Sequence, residues 1–295
     1  MKQIHGIFAV TVTHFQENGE IDYAACAKHI NWLIESGVHG LLPLGATGEF
    51  SALTLEERKA FAEFAMKEVA GRVPVIIGAV STNVDVTLEV AKHAASIGAD
   101  GVMILPPPGL HPSQDEIYAF YKHISENVTL PVMIYNNPGS SGVNILPETL
   151  DKIADLPHMG FLKESTGDIM RLTRAVDELA DRLVIFGGCE SLAYESCVMG
   201  AKAWVCVLAN VAPAQSARLY DLIVNQGKLE EARALYRQIL PLLRLTEETG
   251  ELWQIVKYIL KQRGFGTGTL RLPRQPISEG VKAQLDELLG KADFA

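Results

Sequence analysis

Cysteine is scarce and scattered. The four cysteines among 295 residues, Cys26, Cys189, Cys197 and Cys206, form no CxxC pair. That argues against a disulfide scaffold or a structural zinc site and fits a reducing cytoplasm. No Lys/Arg cluster stands out and the net charge is −9, so nucleic acid and anionic membrane surfaces are not expected as partners. No apolar run approaches the ~20 residues needed to span a bilayer. The opening MKQIHGIFAVTVTHF is too short and interrupted for a signal peptide, lacks a small-residue cleavage site, and reads as a first strand. The eight histidines show no HxxH or HExxH spacing, which disfavours a metal-dependent aldolase. GFGTG at 264–268 is not GxGxxG and follows a helical stretch, so it is a turn.

What is present is a repeating unit. The chain is 48% hydrophobic and 21% charged, enough to bury a large core. Short apolar runs alternate with amphipathic stretches: GIFAVTVT, GLLPLG, VPVIIGAV, GVMILP, LPVMIYN, MGFLK, RLVIFGG and AWVCVLA. Continuous rather than alternating apolar character means burial on both faces, as in a parallel sheet. Eight such units in roughly 210 residues predict a (β/α)8 TIM barrel. Thr54 and Glu57 form a capping box for the second helix, with Gly71 at its end. Beyond residue 210 only helical patterns remain, with Pro241 expected to kink one of them. The division is a barrel over 1–210 carrying the site and a C-terminal helical bundle over 211–295.

In such a barrel, chemistry sits at the C-terminal ends of the strands. Those ends read GATGE (45–49), PPPGLHP (106–112), YNNPGSSG (135–142), KEST (163–166) and GGCES (187–191). Lys163 has two readings: a strand-end lysine paired with Glu49, Glu164 or Glu190, or an amine kept neutral by an apolar site and able to form a Schiff base with a ketone. Tyr135 is either a packed tyrosine or a phenol that moves protons for that amine. The amides of GATGE and the Thr47 hydroxyl could bind a carboxylate, or form an ordinary turn. His14, His39 and His111 read as structural.

Together, GATGEF, YNNPGSSG and KEST at these spacings resemble the dihydrodipicolinate synthase/N-acetylneuraminate lyase family of class I aldolases, and the resemblance spans the chain. It implies a (β/α)8 barrel with a C-terminal helical bundle, a cytoplasmic homotetramer, pyruvate or another 2-oxo acid and an aldehyde as small-molecule partners, and no cofactor or metal. By the same resemblance Lys163 forms the Schiff base and Tyr135 transfers protons. Ala46, Thr47, Ser140, Thr166, Gly188, Glu190 and Val205 would contact substrate. Three positions depart from the synthase pattern. Ala46 replaces a hydroxyl residue, Gly109 stands where a tyrosine is donated across subunits, and Ser140 replaces the arginine that holds the aldehyde's carboxylate. These departures favour a neutral, hydroxylated substrate tail, hence cleavage or dehydration of a 2-oxo-3-deoxy sugar acid. The alternatives are 4-hydroxy-tetrahydrodipicolinate synthase, condensing pyruvate with an amino-aldehyde, and a non-catalytic 2-oxo acid binder.

Overall fold

The computed structural model describes residues 4–291. Eight strands, β1 (Gly6–Ala9), β2 (Gly40–Leu41), β3 (Ile76–Gly78), β4 (Gly101–Ile104), β5 (Val132–Asn136), β6 (Met159–Glu164), β7 (Val184–Gly187) and β8 (Ala203–Cys206), lie parallel in the order β2-β1-β8-β7-β6-β5-β4-β3. A parallel bridge from Leu41 to Val75 joins β2 to the approach of β3 and completes the circuit. The expected (β/α)8 barrel is therefore the observed one.

Helices α1 (Tyr23–Glu35), α2 (Leu55–Val69), α3 (Val84–Ser96) and α4 (Gln114–Asn127) follow the first four strands in turn. A short α5 (Pro138–Ser141) and α6 (Pro147–Ala154) follow β5, α7 (Ile169–Leu179) follows β6, and α8 (Ala193–Val198) follows β7. Four more helices come after β8: α9 (Pro213–Tyr220), α10 (Leu229–Glu248), α11 (Leu252–Gln262) and α12 (Glu279–Lys291). Of these, α9 packs on β1, and the Tyr220 hydroxyl donates to the Lys202 carbonyl at 2.8 Å. This helix thus covers the seam between the last strand and the first. Among the described residues no helix is long and apolar enough to cross a membrane.

Local chemistry explains the boundaries. The capping box of Thr54 and Glu57 forms as expected, and Ser113 with Glu116 makes a second one at α4. The left-handed cap of α2 falls on Ala70, at φ +49, one residue before Gly71. Pro241 lies inside α10, which runs as one helix from Leu229 to Glu248.

Side chains alternate across each strand, so the sheet has an inner and an outer core. Phe8, Val10, Met103, Met133, Phe161, Phe186 and Val205 fill the barrel interior. Ile7, Ala9, Ile134, Leu162, Trp204 and Cys206 face the helices. The same period decides where the chemistry points. Phe161 is inward, so Lys163 two residues on is inward too, at the open end of the barrel.

Candidate active site

Lys163 and Tyr135 are register partners on β6 and β5, which sets them side by side on the inner face. Both are buried, at 6% and 4% exposure. The lysine Nζ lies 4.0 Å from the centre of the tyrosine ring. None of the three carboxylates that could have neutralised Lys163 is available to it. Glu49 pairs with Lys257 of α11 in a fully buried contact. Glu164 accepts from Asn136 Nδ2 at 3.0 Å and from the Thr166 amide at 2.8 Å. Glu190 accepts from the amides of Val207 and Leu208 at 2.7 and 2.9 Å. The strand-end ion pair is thus not what the fold builds, and a buried amine with a phenol beside it faces the cavity instead.

That cavity has a volume of about 590 Å³ and opens over the C-terminal ends of β5 to β8, β1 and β2. Ala46, Thr47, Ser140, Thr166, Gly188 and Glu190 line it, together with Lys163 and Tyr135. Val205 does not. It sits one layer deeper in the barrel interior, beside Phe8 in the sheet register, and Val207 takes the wall position. Glu190 reaches the wall, but its carboxylate is turned into the protein. Burial pushes it up to about 7, opposed by the two amides that hold it. Gly109 is not among the lining residues. His14 and His29 make a buried 3.2 Å contact, and burial lowers both, His29 to about 4. His39 accepts from the Ile7 amide, and His111 lies by the Gly142 carbonyl. None of the four lines the cavity. Burial pushes the Cys189 thiol in the cavity wall up to about 11, away from the reactive thiolate form.

Several lining residues carried no signal in the sequence. Thr246, Glu247, Leu252 and Trp253 come from the end of α10 and the start of α11. The Trp253 indole N–H donates to the Ala46 carbonyl at 2.9 Å. Glu247 accepts from the amides of Glu190 and Ser191 at 2.6 and 3.1 Å. Asn137, one residue beyond β5, donates from Nδ2 to the Tyr135 hydroxyl at 2.7 Å. Among the described lining residues Lys163 carries the one basic side chain.

Gly188 shows how tightly the lysine is seated. A Cβ there would lie 1.9 Å from Ser165 Oγ, 2.8 Å from the Glu164 carbonyl and 3.0 Å from Lys163 Cγ. Gly188→Ala is expected to cost about 1–3 kcal/mol of stability by overpacking and to slow adduct formation at Lys163. Thermal unfolding and trapping rates measure the two effects; wild-type values in both would show that the β7 end yields freely.

A parallel (β/α)8 barrel with an unpaired lysine and a phenol at its mouth defines a class I lyase, an enzyme that works through a lysine Schiff base. Comparison with known proteins makes the class specific. The model of the dihydrodipicolinate synthetase family matches residues 3–292, and the chain belongs to that family. It is 36% identical over 281 residues to the 4-hydroxy-tetrahydrodipicolinate synthase of Kosmotoga olearia, covering 94% of each chain. The dihydrodipicolinate synthase structure from Thermotoga maritima superposes with a TM-score of 0.93 at 33% identity, covering 99% of both chains. The synthase from Acinetobacter baumannii, solved in complex with pyruvate, gives a TM-score of 0.93 at 28% identity over 99% of both chains. Membership of a family of class I lyases sets aside a non-catalytic binder.

These comparisons also overturn the expected 2-oxo-3-deoxy sugar acid lyase and its placement nearer the sugar-acid branches. Relatives 30–36% identical across more than nine-tenths of the chain are named 4-hydroxy-tetrahydrodipicolinate synthase. Three side chains at 46, 109 and 140 are outweighed by similarity along the whole chain.

Proposed function

We propose that this protein condenses pyruvate, held as a Schiff base on Lys163, with an amino-aldehyde, as in 4-hydroxy-tetrahydrodipicolinate synthesis. The observation that carries the reading is the buried Lys163 Nζ above the Tyr135 ring with every nearby carboxylate engaged elsewhere. The neutral amine adds to the C2 carbonyl of pyruvate. Loss of water gives an iminium, which draws electrons from C3, so that a C3 proton leaves to solvent or a base and an enamine forms. The enamine carbon then attacks the aldehyde. Tyr135 supplies and recovers protons at the departing oxygen. Thr47, in the buried turn after β2 and facing the cavity, holds the pyruvate carboxylate. Ser140 and Thr166 face the aldehyde's tail.

The test is consumption of pyruvate by the protein with and without the amino-aldehyde. Consumption that depends on it supports condensation; indifference to it sinks the reading. A second measurement bears on the missing arginine. Ser140→Arg is expected to lower KM for the carboxylate-bearing aldehyde about tenfold or more, the worth of one charge-assisted hydrogen bond, with little change in kcat. An unchanged KM would mean that the carboxylate does not approach from α5.

A further inference from the structure

Asn137 occupies a position with two commitments. It is the N-cap of α5, its Oδ1 accepting from the Ser140 amide at 3.1 Å. With Oδ1 so engaged, Nδ2 faces the Tyr135 hydroxyl and donates to it at 2.7 Å. The cap therefore fixes which end of the amide meets the phenol. Residue 46, across the cavity, is an alanine and presents no hydroxyl to the phenol. Its carbonyl accepts from the Trp253 indole.

We infer that Asn137 is a positioning residue for Tyr135: its fixed N–H occupies one lone pair of the phenol oxygen, turns the phenol's own hydrogen toward the cavity, and steadies the charge left when that hydrogen departs. This rests on the reading of Tyr135 as the proton donor at the Schiff-base lysine. The step in question is collapse of the carbinolamine. The Lys163 nitrogen lone pair forms the C=N bond and the C–O bond breaks. The leaving oxygen takes the phenol proton and departs as water. A cationic iminium and a phenolate remain, and the phenolate oxygen is the acceptor of the Asn137 N–H. A hydrogen bond to a charged oxygen is stronger than one to a neutral phenol, so its gain falls on the step rather than on the resting enzyme. A carboxamide neither gives up nor takes a proton near neutral pH. The phenol consequently exchanges protons with the substrate or with cavity water and not through residue 137.

Asn137→Asp separates the two commitments. Aspartate caps a helix as well as asparagine does, but it offers the phenol an acceptor in place of a donor. The expected result is an unchanged melting temperature, kcat lower by about ten- to a hundredfold, KM for pyruvate within about twofold, and borohydride-trapped adduct accumulating more slowly by the same factor as kcat. Asn137→Ala is expected to lose the same kcat and some thermal stability besides. If Asn137→Asp forms adduct at the wild-type rate, the role assigned to Asn137 is wrong, while the Lys163 reading stands. If the wild-type protein forms no adduct with pyruvate, the Lys163 reading fails and this one with it. If activity is lost only in step with the melting temperature, Asn137 is a cap and nothing more.

Discussion

Lys163→Ala is expected to eliminate the covalent adduct with pyruvate. Wild-type protein treated with pyruvate and borohydride should gain the mass of pyruvate, less one water and plus one reduction, on the peptide containing Lys163. The variant should gain none, and its kcat should fall by more than the about 10²–10⁴ that a single acid–base group contributes, because the covalent route itself is removed. Lys163 is one of two buried lysines among the described residues. Lys257 is buried just as deeply, yet Glu49 and the Thr269 carbonyl hold its ammonium group. A lysine engaged in that way has neither a free lone pair nor access to the cavity. An adduct surviving in Lys163→Ala, or mapped to Lys257, would reverse the assignment.

Tyr135→Phe should fold and bind pyruvate while turning over about 10²–10⁴-fold more slowly. The ring stays in place, with its packing among Met133, Phe161 and Phe186. The hydroxyl is lost, and with it the acceptor of the Asn137 N–H. The useful distinction lies between kcat and KM. A phenol acting on the departing oxygen works only after the amine has added, so kcat should drop and KM should stay nearly constant. Stopped-flow trapping of the iminium would locate the loss. A variant with unchanged kcat would remove the phenol from the proton path and leave it as packing.

Much of this was readable in the chain itself, and the reasons are local. Eight apolar runs bounded by capping residues are enough to specify strands buried on both faces, and Thr54 with Glu57 marks a helix start without help from distant residues. Lys163 and Tyr135 were accessible because a barrel places strand ends together and the two-residue period fixes their direction. Val205 was misplaced by one layer for the complementary reason: at the end of β8 the sequence does not say where the strand stops, and Val207, two residues on, takes the wall. Glu247 and Trp253 are invisible in the sequence, since only the packing of α10 and α11 back over the barrel brings them to the mouth. Glu190 was misjudged in role, because nothing in GGCES tells a carboxylate that meets substrate from one that ties two loop amides together. The substrate expectation fails because the three side chains at 46, 109 and 140 do not define a pocket whose rim is also built by α10 and α11.

The contribution of α10 and α11 to that wall has a consequence for how the catalyst can diverge. The proposed Schiff-base lysine is anchored on a strand, where a shifted side chain disturbs the whole cylinder. The opposite rim hangs on two residues, Glu247 gripping the β7 loop and Trp253 gripping the turn after β2. A handful of exchanges in this helical hairpin would reshape what the enamine meets while leaving the nucleophile untouched, so new acceptors are most cheaply reached from the part of the chain that lies outside the barrel.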